Sequence, residues 1–366
     1  MTNKYYGIKI NLNIIQVQQQ NLSDINSVYI YSKLLYARVS YSSFFSLGGI
    51  MKVNIYETLG FTLHRKCNAA CSICCFESGP NCMEKLDVKR IKEYINESKD
   101  IPDIKSIAFT GGEAFLEYET LVELIKQSHL AGKEVSIATN GFWANDYSET
   151  YKKLEYLKKC GLSFLSLSYD NYHSKFVDAQ NIRNILSVCT KLDIPTSLAI
   201  VKLKNENVGN IIDELGDYIY TAAIKVGPCL PVGRAKKTFS KDEYVYSIDT
   251  CTARCAYGAN MVVNYDGTIY PCCSQVIVNT GLGIGNFKDL SLREAISKLK
   301  NNALLYFLRN RDMTFFAEYA KKNLKIDVPD KIVNPCELCQ LLFEPKNIHK
   351  YEEFVMNSIK ELKNQK

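Results

Sequence analysis

The sequence predicts an α/β fold: a partial (β/α)6 barrel with a smaller C-terminal α+β domain. Three observations predict it. Six short β-like runs alternate with helical patterns between residues 51 and 235, a hairpin and a group of helices then replace that alternation, and dense cysteine groups mark the first β–α loop and the second part.

The chain has 366 residues, 46% of them hydrophobic, enough for a large core without disulfide support. Lys and Arg outnumber Asp and Glu by 45 to 39, with no dense basic block, so the charge reads as solvated surface and predicts no nucleic-acid partner. The most apolar early stretch, "SVYIYSKLLYARVSYSSFFSLGG", is broken by Lys33 and Arg38, and no membrane span is expected. Fourteen cysteines without a secretory signal point to metal or catalytic thiols in a reducing, cytoplasmic setting.

Residues 1–50, polar and rich in Gln, Asn and Tyr, read as an appendage. The "GGIM" at Gly48 to Met51 resembles a translated ribosome-binding sequence, which makes Met51 the expected start. The β-like runs are 57–65, 104–110, 134–140, 162–169, 195–202 and 222–228. Helical patterns separate them, including "LDVKRIKEYINES", "FLEYETLVELIKQSHL" and "NIRNILSVCTKL", the last with Ile182, Ile185, Leu186, Cys189 and Leu192 on one face. Six units imply parallel strands with right-handed crossovers, and chemistry at the strands' carboxyl ends. The barrel is assigned to 51–235 and an auxiliary domain to 236–343. In the latter "MVVNYDGTIYPCC" reads as a hairpin turned at Asp266-Gly267, followed by helices 291–300 and 303–323 and by "NPCELC". Residues 344–366 read as a fraying surface helix.

The loop after the first run, "CNAACSICCF", carries Cys67, Cys71, Cys74 and Cys75. Three thiolates at 67, 71 and 74 can hold three corners of a [4Fe-4S] cubane, leaving one iron open for chemistry. Cys75 does not serve as the fourth ligand, because neighbouring residues direct their side chains apart. A zinc knot completed by Cys82 or His64 is the structural alternative. The next loop, "FTGGEAF", brings Gly111, Gly112 and Glu113 to the mouth of a helix, where backbone N–H groups and a carboxylate could receive a ligand with an ammonium group; a plain turn is the competing reading.

In this order the two loops resemble those of the radical S-adenosylmethionine (SAM) superfamily, over Met51 to about Phe343. The resemblance implies that SAM binds the open iron, that Glu113 accepts from its amino group, and that one electron yields a 5′-deoxyadenosyl radical. Ile73 departs from the aromatic residue usual there. The resemblance also assigns Asn140, Ser168 and Asp170 to SAM; their other reading is as helix caps. His173 reads as a surface or packed histidine.

Cys255, Gly267 and Cys272 are spaced like residues of the SPASM/twitch accessory domain of radical SAM peptide-modifying enzymes, and "PVGRA" and "GNFKDLSLREA" resemble segments flanking it. The glycines of "GLGIGN" lack the strand-turn-helix frame of a nucleotide loop. There are too few cysteines for two auxiliary clusters, so one [4Fe-4S] cluster is expected, on Cys272, Cys273, Cys336 and Cys339. An adjacent pair is an awkward ligand set, and the SPASM spacing would put Cys255 in place of Cys273.

"CCF", "FTGGEAFLEY", "TNGFW", "SYDNYH", "DGTIYPCCS" and the terminal "CxLCxLLF" are similar to the radical SAM epimerases that convert L- to D-residues in ribosomally made peptides. By position the thiol that returns hydrogen to Cα is Cys255, which must be un-ligated to do so. The expected partners are a precursor peptide and an electron donor such as flavodoxin or ferredoxin. A thioether or C–C crosslinking enzyme and, from another class, a zinc-stabilised peptide-binding protein are the alternatives.

Overall fold

The computed structural model describes residues 56–255 and 260–364; the N-terminal appendage and the proposed start at Met51 lie outside them. All six β-like runs form strands: β1 (Thr58–Thr62), β2 (Ser106–Thr110), β3 (Glu134–Thr139), β4 (Leu162–Ser168), β5 (Thr196–Lys202) and β6 (Ala223–Pro228). Each pairs in parallel with the next, for example Phe61 with Phe109 and Ile137 with Leu165. Leu59, Phe61, Ile107, Phe109, Leu165 and Leu198 share one face and are buried, while Ser106, Ala108, Ser136, Ala138 and Ser166 on the other face are half-buried.

The intervening helices are α1 (Val88–Ser98), α2 (Tyr118–Leu130), α3 (Tyr147–Cys160), α4 (Ala179–Lys191) and α5 (Gly209–Leu215), and α6 (Gly233–Thr238) follows β6. Asp87, Asp146 and Asp178 cap α1, α3 and α4 by accepting a first-turn N–H, which fixes where the chain leaves each loop. α3 ends on Gly161 at φ +113°, where an added Cβ would stand 2.3 Å from the Cβ of His129. These caps confine the irregular chain to the carboxyl ends of the strands, so the cysteine loop, the Gly-Gly-Glu loop, Asn140 and Ser168 gather at one rim.

Beyond α6 lies a short strand, β7 (Ile248–Asp249). The hairpin forms as β8 (Asn260–Val263) and β9 (Ile269–Tyr270), with Gly267 at φ +84°. β8 joins the barrel sheet beside β1, Thr58 opposite Asn260 and Phe61 opposite Val263, giving the order β6-β5-β4-β3-β2-β1-β8-β9. β6 and β9 are the two edges, with a seam between them.

Helices α7 (Leu292–Lys300), α8 (Ala303–Asn310) and α9 (Thr314–Tyr319) follow. The expected single helix over 303–323 is broken because the Met313 N–H leaves the helix to donate to Ala253 O at 2.8 Å. A second two-stranded sheet pairs β7 with β10 (Lys331–Ile332). α10 (Pro335–Leu342) starts on Pro335, with Asn334 accepting from the N–H groups of Cys336 and Glu337.

The terminal helix α11 (Ile348–Asn364) is not the fraying surface helix expected. Tyr351 and Val355 are buried, and Phe354 stacks on Tyr319 with ring centroids 4.1 Å apart. Tyr351, Phe354 and Val355, spaced three and four apart, supply the apolar stripe that holds it down. Among the described residues no helix is long and apolar enough to cross a membrane.

Candidate functional site: two cysteine centres

The cysteine loop leaves β1 and is tied to its neighbours by main-chain bonds, Leu63 N to Thr110 O (2.8 Å) and Cys67 N to Gly79 O (3.1 Å). A turn closed by Cys74 N to Cys71 O (3.1 Å) carries the second and third cysteines. Cys67 and Cys71 are buried and Cys74 is half-buried. Backbone N–H groups already face two of the sulfurs: Ala69 N lies 3.4 Å from Cys67 Sγ, and Ser78 N lies 3.3 Å from Cys74 Sγ.

Burial pushes the Cys67 thiol up to about 11, with Glu113 and Cys74 adding to the shift, and pushes Cys71 up to about 12, with Asp170, Cys67 and Cys74 adding. Thiols that oppose one another's ionisation in this way are suited to a cation, whose charge reverses the balance. Among the described residues no three His, Cys, Asp or Glu side chains stand at the spacing of ligands to a single metal ion. The donor set fits an iron–sulfur cluster: three thiols on one short loop, with main-chain donors to sulfur. Cys75 packs against the apolar patch that contains Cys67, Cys71 and Cys229. Ile73 lies half-buried against the same patch. His64 Nδ1 lies 3.0 Å from Lys66 O, and its buried Nε2 has no hydrogen-bond partner among the described residues.

The Gly-Gly-Glu loop is pressed against this one. Gly112 N donates to His64 O (2.6 Å), and a Cβ on Gly112 would fall 2.2 Å from Lys66 O; one on Gly111 would fall 2.8 Å from His64 O. Both glycines are therefore required by the approach of the two loops. Glu113 is buried, its Oε1 accepting from Thr139 Oγ1 (2.7 Å) and Phe115 N (3.1 Å), its Oε2 from Asn140 N (2.7 Å). Desolvation still dominates and raises its carboxyl to about 7. Asn140 Nδ2 donates to Asn68 Oδ1 (2.9 Å) and lies 3.8 Å from Cys67 Sγ, linking the carboxylate to the cysteine loop.

Ser168 sits half-buried at the end of β4. Asp170 is otherwise engaged. Its Oδ1 accepts from Tyr172 N (3.0 Å), His173 N (3.1 Å) and His173 Nδ1 (2.8 Å), and its Oδ2 accepts from Val201 N (3.2 Å). With four donors on it, the geometry matches the capping reading and not a direct SAM contact. The residue it presents is His173, close enough for its charge to act on Glu113. The sequence reading of His173 as a surface or packed histidine agrees with its half-buried position, and the carboxylate three residues before it was the available signal for its partner.

The second centre corrects the expected ligand set. One largely apolar cavity is lined by Cys255, Cys272, Cys336 and Cys339, with Arg309 on its wall. Cys273 is exposed instead, its Sγ accepting from Asn260 Nδ2 at 3.2 Å and lying within electrostatic reach of Lys225 on β6. Cys255 thus lines the cavity where Cys273 was expected. Burial raises Cys336 to about 11 and raises Cys272 and Cys339 further; Cys273 and Cys255 both add to the shift at Cys272 and Cys336, and Cys255 adds at Cys339. Four thiols around one cavity are a donor set for one cluster.

The radical SAM superfamily pattern matches residues 61–215, and that of the SPASM iron–sulfur cluster-binding domain matches residues 251–340. YydG of Bacillus subtilis (strain 168), named for peptide biosynthesis, is 32% identical over 295 residues, covering 78% of this chain and 92% of its own. A GTP 3′,8-cyclase of Listeria welshimeri is 23% identical over 218 residues, 55% of this chain and 62% of that protein. Among solved structures, anSMEcpe with bound AdoMet and Cp18Cys peptide covers 82% of this chain and 99% of its own at 16% identity and a TM-score of 0.47. BtrN in complex with AdoMet and 2-DOIA covers 71% and 89% at 13% identity and a TM-score of 0.45. Both structural likenesses are distant.

Proposed function

This chain belongs to the radical SAM superfamily, and we propose that it is a peptide-modifying enzyme that epimerises residues of a ribosomally made precursor from L to D. A [4Fe-4S] cluster on Cys67, Cys71 and Cys74 would supply the electron and the open iron position at which SAM yields a 5′-deoxyadenosyl radical. On this reading Glu113, as carboxylate, accepts from the SAM ammonium, Gly111 and Gly112 let the loop close over the cluster loop, and Asn140 holds the two loops in register. Ser168 takes a polar SAM contact, and Asp170 acts indirectly by orienting His173.

The observation that carries the epimerase reading is Cys273, exposed and outside the cavity like Cys251 but directly next to the cavity thiol Cys272. The auxiliary [4Fe-4S] cluster then takes Cys255, Cys272, Cys336 and Cys339, and the hydrogen donor passes from Cys255 to Cys273. The radical removes the Cα hydrogen to give 5′-deoxyadenosine. Cys273 S–H returns a hydrogen to the opposite face, and its sulfur radical is restored by an electron and a proton from a flavodoxin- or ferredoxin-like donor.

The auxiliary thiol set also favours a second reading, oxidative thioether or C–C crosslinking of the peptide, because a crosslink releases an electron that a second cluster can accept. Reaction with the precursor in deuterium oxide separates them. Epimerisation adds one deuterium at Cα, whereas crosslinking removes two hydrogens and leaves no D-residue. A product lighter by two mass units would overturn the epimerase reading.

A further inference from the structure

The "PVGRA" segment has no part in the function proposed above, yet its contacts are with the cysteine loop. α6 opens at Gly233, directly after β6, and its first turn lies against that loop. Arg234 N–H donates to Cys74 O (3.0 Å), Nη1 donates to Cys71 O (2.6 Å), and Nη2 donates to Ser78 O (2.7 Å). One residue therefore satisfies three carbonyls on either side of Cys74, two of them through the rigid fork of a guanidinium. Cys71 O and Cys74 O also accept from Cys74 N (3.1 Å) and Glu77 N (3.3 Å), so the arginine adds a second donor to each and joins their turn to Ser78 O.

Gly233 is what lets the arginine reach. It has φ +57°, and a Cβ there would stand 2.4 Å from Cys75 O and 2.5 Å from Cys74 O. From below, Ala235 is fully buried and its carbonyl accepts from Tyr244 Oη at 2.8 Å, so the turn bearing Arg234 is itself held. The guanidinium charge also reaches the Cys67 sulfur.

We propose that Arg234, seated by Gly233, is a positioning residue for the radical SAM cluster: it fixes the loop in the shape that presents Cys67, Cys71 and Cys74 together and places a permanent positive charge behind them. This rests on the cluster assignment made above. Iron–sulfur potentials respond to nearby charge, and a cation favours the more negative, reduced state. Geometry and charge therefore make separable contributions, the fork to cluster uptake and the charge to potential.

The test uses the full chain reconstituted with iron and sulfide under anaerobic conditions. The radical SAM cluster is followed by the part of the reduced electron paramagnetic resonance signal that changes when SAM is added. In Arg234→Gln we expect that signal to fall at least two-fold per protein and to titrate at a more negative potential than in wild type. Arg234→Lys, which keeps the charge but cannot bridge two carbonyls, is expected to show lowered uptake at the wild-type potential. Wild-type uptake and potential in Arg234→Gln would overturn the proposal while leaving the cluster assignment intact; absence of any SAM-responsive signal in wild type would instead overturn the assignment beneath it. Should Arg234→Gln not accumulate as folded protein, Arg234→Lys decides alone: lowered uptake supports the clamp, and wild-type uptake refutes it.

Discussion

The two cysteine centres are built on opposite plans. On the assignment proposed above, the first draws Cys67, Cys71 and Cys74 from one short loop, and local spacing alone nominates them. The second draws on residues 255, 272, 336 and 339, brought together by a hairpin and a distant helix, so its membership depends on which way each side chain turns. Spacing identifies a local ligand set, but a dispersed one requires the tertiary fold.

The largest expected effect tests the local centre. Replacing Cys67, Cys71 or Cys74 with Ala should lower 5′-deoxyadenosine formation by at least about 10³-fold, measured chromatographically with dithionite as reductant, whereas Cys75→Ala should retain the cluster. Equal losses in all four variants would break the distinction between the ligands and their neighbour.

The dispersed centre is tested by exchanging its two disputed thiols. Cys273→Ala should keep the iron content of wild type and its SAM cleavage while losing about 10²-fold or more in D-residue yield, read by chiral amino-acid analysis. Cys255→Ala should lose iron. The reverse pattern would restore Cys273 as ligand and Cys255 as donor.

A third test addresses the contact between loops. Gly112→Ala would put a Cβ 2.2 Å from Lys66 O and should destabilise the fold by about 2–4 kcal/mol in urea titration. A loss below about 0.5 kcal/mol would mean that the loops part without cost.

A smaller effect concerns pH. Burial raises Glu113 from 4.5 to about 7, so its contribution to stability is fully present below about 4.5 and is lost as pH rises through about 7. The SAM ammonium needs the carboxylate, so SAM affinity in the reconstituted enzyme should rise roughly ten-fold between about pH 6 and pH 8, and Glu113→Gln should flatten the profile. Calorimetric titration across that range would measure both. Smallest is Asn334→Ala, expected to cost about 1 kcal/mol by removing the cap in front of Cys336 and Cys339.

Much of the fold was legible because the strands alternate buried apolar residues with half-buried small or polar ones, as in Ser106–Thr110 and Glu134–Thr139, and are separated by helical patterns. Each strand from β1 to β6 falls within its predicted run. The break at Met313 was not legible, since it depends on a hydrogen bond to Ala253, 60 positions earlier in sequence. The packing of α11 was legible but missed: Tyr351, Phe354 and Val355 share one helix face, outweighed in the reading by the surrounding Lys and Glu. At the site, cysteine and glycine spacing exposed the two loops. Arg234 was hidden, because a side chain that serves only main-chain carbonyls leaves no partner residue in the sequence to pair with it.

The pairing of β8 with β1 limits how a bulky substrate can enter. Four residue pairs along this ladder weld the barrel to the domain that follows it, so a swinging motion between them would have to break main-chain hydrogen bonds. A bulky substrate must then enter without any hinging of the two parts at this ladder.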